Sequence, residues 1–127
     1  MEKITICIPS DLPGGLDARP SKSLEDSDVY NFVQVERNGN HEEISLKYQR
    51  SSCHAIACLD PVEAIAKKGA IAIVVRSISP EYLIRFLQAG VKIYVSNENT
   101  VLNSARAFVA GKVNELTRMD FSSSARK

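Results

Sequence analysis

The hydrophobic period of this chain changes once, near residue 60, and that change restricts the fold more than any other feature. Before it, apolar residues recur at every second position. Ile4, Ile6 and Ile8 alternate with Thr5, Cys7 and Pro9, and similar runs follow at residues 29–36 and 42–47. A period of two is that of a strand. The first run carries apolar or small groups on both faces, which predicts a strand covered on each side, with Cys7 buried. Arg37-Asn38-Gly39-Asn40 separates the second and third runs. An Asn-Gly step supplies the positive φ angles of a hairpin turn, so these two strands are expected to pair antiparallel.

After residue 60 helical and strand patterns alternate. Asp60-Pro61-Val62-Glu63 places a capping carboxylate, a proline at the first helical position and a glutamate at the third. This helix should end near Gly69, with Val62, Ile65 and Ala66 turned to the core. Residues 70–75 form a short β-branched run that reads as a buried strand. Ser79-Pro80-Glu81 opens a second helix that stops at Gly90, and Leu83, Ile84, Phe86 and Leu87 are expected to cover the sheet. Residues 91–95 form a further strand. Asn99 or Thr100 then caps a third helix whose apolar stripe is Val101, Leu102, Ala105, Phe108 and Val109. A hairpin-containing β-β-β half followed by β-α-β-α units predicts a mixed sheet with helices on both faces. If the first, third, fourth and fifth strands run the same way, residues 10–28, 48–59, 76–79 and 96–99 gather at their carboxyl ends. Ligands in open α/β sheets bind at that edge, where helix starts offer N–H donors.

The chain has 127 residues, the usual size of one compact domain. We expect a single α/β domain over residues 1–114 and a mobile tail over 115–127, where three consecutive serines precede a basic end. Sixteen Lys plus Arg against fifteen Asp plus Glu are scattered along the chain. There is thus no basic stripe of the kind a nucleic-acid backbone requires, and no nucleic-acid partner is expected. The longest apolar run, residues 70–75, is far short of the ~20 residues of a membrane helix, so no membrane partner is expected either. Met1-Glu2-Lys3 leads directly into a strand-like run, which predicts no signal peptide and a cytoplasmic protein. Three cysteines, an odd number, argue against a disulfide framework and for free thiols or ligands.

Cys53, His54 and Cys58 are the candidate metal ligands, because thiolate sulfur and imidazole nitrogen are the donors that zinc, copper and iron–sulfur species take. The alternative is that they are small residues of a packed loop. Arg76 ends a buried strand and is followed by Ser77 and Ser79 at a helix start. That arrangement suits a small anionic ligand, and equally an ion pair with an acid of the long first loop. His41 lies beside the hairpin turn and reads as a solvated residue. The chain has no G-x-S-x-G, H-E-x-x-H, G-x-G-x-x-G or P-loop motif, and a Cys53–His54 nucleophile would lack an orienting third group. A non-enzymatic role is expected.

Four segments resemble the dinitrogenase iron–molybdenum cofactor-binding family of small carrier-like domains. They are Ile8-Pro9-Ser10-Asp11, then Gly15-Leu16-Asp17-Ala18 with Ser21 shortly after, then residues 89–94 (AGVKIY), and Val109-Ala110-Gly111-Lys112. The resemblance implies a ribonuclease-H-like three-layer α/β/α domain with a mixed five-stranded sheet. It also implies a small carrier that binds an iron–sulfur or iron–molybdenum cluster. Transferred to this chain, its cofactor-binding positions are Ser10 and Ser23, which join Arg76 and Ser77. Where the family carries a His-Phe-Gly-Arg-like segment, this chain has Ser23-Leu24-Glu25-Asp26, so an acid replaces the arginine. The alternative function is an accessory or regulatory protein-interaction module that has lost cluster binding. Nuclease activity, which needs carboxylates on the central strands, is not expected with Thr5 and Cys7 there.

Overall fold

A computed structural model describes residues 2–51 and 60–116. In chain order the elements are β1 (Glu2–Ser10), β2 (Val29–Asn38), β3 (His41–Ser51), α1 (Pro61–Ala66), β4 (Ala72–Val75), α2 (Pro80–Gln88), β5 (Lys92–Val95), α3 (Val101–Val109) and β6 (Asn114–Leu116). They form one open sheet in the order β3-β2-β1-β4-β5-β6. β2 is antiparallel to both β1 and β3, whereas β4 is parallel to β1 and β5 to β4. Thus β1, β3, β4 and β5 all point the same way, and their carboxyl ends share one edge.

The alternation in β1 sets the layers. Ile6 and Ile8 pack with Val33, Val35, Ala72, Val74 and the α3 residues Val101 and Ala105. Cys7 packs on the other face, with Phe32, Ile73 and Ile93 and with Val62, Ile65, Leu83 and Phe86 from α1 and α2. Ile6, Cys7 and Ile8 are all fully buried, as a central strand with helices on both sides requires. Burial also pushes the Cys7 thiol well above its ordinary range.

The helix starts follow the local chemistry. The Asp60 carboxylate accepts from Val62 N, Ser79 Oγ accepts from Tyr82 N, and Thr100 Oγ1 accepts from Asn103 N. Asp60 also pairs with Arg85 at 2.6 Å, which ties the start of α1 to the middle of α2.

Four expectations change. The sheet has six strands, not five, because Asn114–Leu116 adds a three-residue edge strand antiparallel to β5, too short for any period to register. Ile84 is exposed at 47%, since Leu83 and Phe86 define the buried face of α2 and position 84 falls outside it. In the hairpin turn only Gly39 has a positive φ, +65°. Because Asn38 pairs with His41, Gly39 is the first central residue of a two-residue turn, the type that needs a positive φ only there. Finally, β3 continues to Ser51 because its register slips. Phe32 faces Tyr48 while Val33 faces Leu46, so Lys47 is an extra residue, a β-bulge in the edge strand.

Candidate functional site

The carboxyl edge of the sheet is organised by residues 11–28, which are tied down throughout. Ser21 N donates to Pro9 O, Asp28 N to Ser10 O, and Asp11 N to Arg19 O. The loop's Leu16 and Ala18 carbonyls accept from Leu102 N and Val101 N, both at 2.9 Å, and so satisfy the free donors at the start of α3. At α2 the Glu25 carboxylate accepts from Ser79 N at 3.1 Å. Leu24 N donates to Ser77 O, and Ser77 Oγ donates to Lys22 O at 2.9 Å. The donors that an anion would seek at these helix starts are therefore already engaged by the first loop.

Asn31 is the centre of this arrangement and carried no functional weight in the sequence. Its side chain is fully buried in β2. Nδ2 donates to Ile8 O and Ser10 Oγ, both at 2.8 Å, while Oδ1 accepts from Gly15 N at 2.8 Å and Gln49 Nε2 at 3.3 Å. One amide thereby joins β1, β3 and the first loop. The available signal was an amide inside the otherwise apolar run Val29-Tyr30-Asn31-Phe32-Val33. Gly14 runs so close to this cluster that a Cβ there would lie 2.5 Å from Gln49 Nε2 and 2.9 Å from Val29 Cγ1.

Beside the pinned loop is a cleft of about 380 Å³ lined by Asp11, Arg19, Pro20, Lys22, Asp26 and Arg76. Three cations face two carboxylates across it. Arg19, Lys22 and Arg76 form no ion pair among the described residues. Ser21, between the cleft residues Pro20 and Lys22, is 3% exposed, and its hydroxyl has no hydrogen-bond partner among the described residues.

The proposed binding residues thus occupy different settings. Arg76 lines the cleft, and Ser77 sits at its side bonded to the first loop. Ser10 is fully buried, donating to Asp11 O and accepting from Asn31. Ser23 closes a local turn with Asp26, which it bonds at 3.1 Å. Cys53, His54 and Cys58 lie outside the described residues. Cys7 is sealed in the core, and His41 is exposed in the hairpin at the opposite end of the strands. Among the described residues no three His, Cys, Asp or Glu side chains group as a metal site. No described helix is long and apolar enough to cross a membrane.

No protein-family model and no curated protein matches the chain. Its fold is similar to that of a Methanocaldococcus jannaschii protein provisionally named a dinitrogenase, at 20% identity and a TM-score of 0.68, covering 92% of this chain and 98% of that one. It is similar to a Thermotoga protein provisionally named NifB, at 23% identity and a TM-score of 0.59, over 90% and 94% of the two chains. It is also similar to the apo form of the orange protein from Desulfovibrio gigas, at 20% identity and a TM-score of 0.64, over 89% and 92%. At these identities the likeness is one of fold, and it agrees loosely with the family resemblance carried by the sequence.

Proposed function

We propose that the chain is a small, non-catalytic binding and carrier protein whose cargo is an anionic cluster of iron–sulfur or iron–molybdenum type, held at the carboxyl edge of the sheet. The observation that carries this reading is the cleft around Arg76, where cations without ion-pair partners and the orphaned Ser21 hydroxyl adjoin a rigidly bonded loop. Buried polar groups are ordinarily hydrogen-bonded, so an orphan next to a cationic cleft is a place for a ligand oxygen or sulfur. The names of two neighbouring folds, a dinitrogenase and NifB, come from nitrogenase chemistry and point the same way. We also read the strand order, with helices on both faces, as a ribonuclease-H-like three-layer arrangement.

The described residues fit such a cargo by charge and not by ligation, because they contain no grouped soft donors. On this proposal Cys53, His54 and Cys58 supply the donor atoms and Arg76 offsets cluster charge. The test is iron, molybdenum, zinc and copper content per chain after anaerobic purification and reconstitution, with Cys53→Ser/Cys58→Ser and Arg76→Gln variants in parallel. Near-stoichiometric metal that is lost in the cysteine variant and reduced in the arginine variant supports the reading. Absence of metal in every form overturns it.

Two observations favour a second reading, an accessory protein-interaction module without a cluster. Glu25 fills the start of α2 with the chain's own carboxylate, and Leu12, at the tip of the first loop, is 69% exposed. Metal-free protein that captures a partner through this loop, and loses it in Leu12→Ser, would favour the module.

A further inference from the structure

A second cleft, of about 330 Å³, lies on the face covered by α1 and α2, away from the carboxyl edge. It is lined by Thr5, Phe32, Lys47, Tyr48, Lys67 and Lys68. Its construction depends on the bulge. In a regular strand consecutive side chains point to opposite faces, so Lys47 and Tyr48 would be divided between them. The extra residue at Lys47 breaks the alternation and lets both line the same concavity. Bulges re-aim side chains in this way at functional positions.

Lys67 and Lys68 reach the cleft from the end of α1. The Lys68 ammonium sits 4.1 Å from the centre of the Tyr48 ring, and that ring leans on Phe32 with centroids 5.6 Å apart and planes at 47°. Tyr48 keeps 40% of its surface exposed, so the aromatic wall is accessible. No carboxylate lines the cleft, and none of the three lysines forms an ion pair among the described residues. Glu63, one turn before Lys67 on α1, is exposed and makes no such pair. On the same face Glu36 and Glu43 oppose each other two pairs further along β2 and β3, about 13 Å away by strand rise.

We propose that this cleft binds a phosphate monoester with a planar or apolar ester group. Three ammonium groups in one concavity repel one another, and a dianion relieves that repulsion. The donors are all lysines, compact charges with rotatable N–H groups that suit the three oxygens of a phosphate. No guanidinium fork, which would serve carboxylate and phosphate alike, lines the cleft, so selection rests on charge and favours a dianion over a monoanion. Tyr48 and Phe32 supply the wall against which an ester group can lie. The volume falls within the about 300–1,000 Å³ of small-molecule sites. The inference is independent of the carboxyl-edge reading, since no residue is shared between the two clefts.

The test uses phenyl phosphate, inorganic phosphate and benzoate, titrated into the full chain and followed by backbone amide shifts. Phenyl phosphate should bind saturably at Lys47, Tyr48, Lys67 and Lys68, about 10-fold more tightly than inorganic phosphate or benzoate. Lys67→Gln/Lys68→Gln should weaken it about 10-fold with only a small shift of the unfolding midpoint, and Arg76→Gln should leave it unchanged. Lys47→Gln, which keeps the bulge, gives the same readout should the double variant fold poorly. Equal affinity for all three probes, shifts at the carboxyl edge or scattered over all lysines, or no saturation at millimolar ligand would each overturn the proposal. Tighter binding of a single-stranded oligonucleotide than of phenyl phosphate at the same residues would also overturn it, in favour of a nucleic-acid surface.

Discussion

Residues 11–28 and strand β3 differ in a way their secondary structure conceals. The first is a long irregular segment, yet its carbonyls and amides bond β1, α2 and α3, and its polar centre is a fully buried amide with four hydrogen bonds. The second is an extended strand, yet it holds an extra residue and a lysine without an ion-pair partner among the described residues, beside two more that follow α1. Length and irregularity are thus poor guides to freedom. Whether each polar group already has a partner is a better one, because satisfied groups fix a segment and unsatisfied ones leave it available to a ligand.

The comparison makes graded predictions for stability. Asn31→Ala should have the largest effect, about 3 kcal/mol in urea unfolding, because it strands buried groups on β1 and in the loop. A loss under about 0.5 kcal/mol would show that the loop is not held through that amide. Gly14→Ala should cost about 2 kcal/mol, since φ is +85° and the new Cβ collides with Val29 and Gln49. Adding Gln49→Ala should recover only part of the loss, as the flexible amide can move and the Val29 wall cannot.

The third effect concerns pH. Burial raises the Cys7 thiol above its ordinary 9.0, and Tyr30, raised by burial and by nearby Cys7, is pushed up to about 12 from 10.0. Both groups stay protonated in the fold while the unfolded chain ionises, so the unfolded state binds fewer protons above these ordinary values. Their stabilising contribution is full below pH 9 and declines as pH rises, by about 1.4 kcal/mol per pH unit for each group that has ionised in the unfolded chain. Unfolding midpoints between pH 8 and pH 11 check this, and Cys7→Ala should flatten the lower part of the decline. Glu25→Gln should cost about 0.5–1 kcal/mol by removing the carboxylate from the start of α2. Lys67→Gln/Lys68→Gln should cost only about 0.5 kcal/mol, the worth of the exposed contact between Lys68 and the Tyr48 ring, since neither lysine has an ion pair among the described residues.

How much of this could be read in advance depended on the range of the interaction. The caps at Asp60, Ser79 and Thr100 and the turn at Gly39 were legible because the residues responsible are within three positions of one another. The shared edge of β1, β3, β4 and β5 followed from connectivity, and it brought Arg76 beside the first loop as expected. The bulge was not legible. Ile44, Leu46 and Tyr48 look like one unbroken alternation, although Ile44 and Leu46 pack on the α3 face and Tyr48 rests against Phe32 on the other. Nor was the pairing of Glu25 with Ser79, whose partners are 54 positions apart. Ser10 and Ser23 were singled out through the family resemblance, and their hydroxyls bond within the chain.

That Glu25 carboxylate has a kinetic and thermodynamic consequence for anything arriving at α2. A group held by the chain itself is present at an effective concentration on the order of millimolar, and it never diffuses away. A free monoanion would therefore compete at a disadvantage for Ser79 N, and a second point of attachment, such as Arg76, would be needed to displace the tether. On the reading proposed above, the helix start would act as a threshold, admitting only an anion with more than one point of attachment.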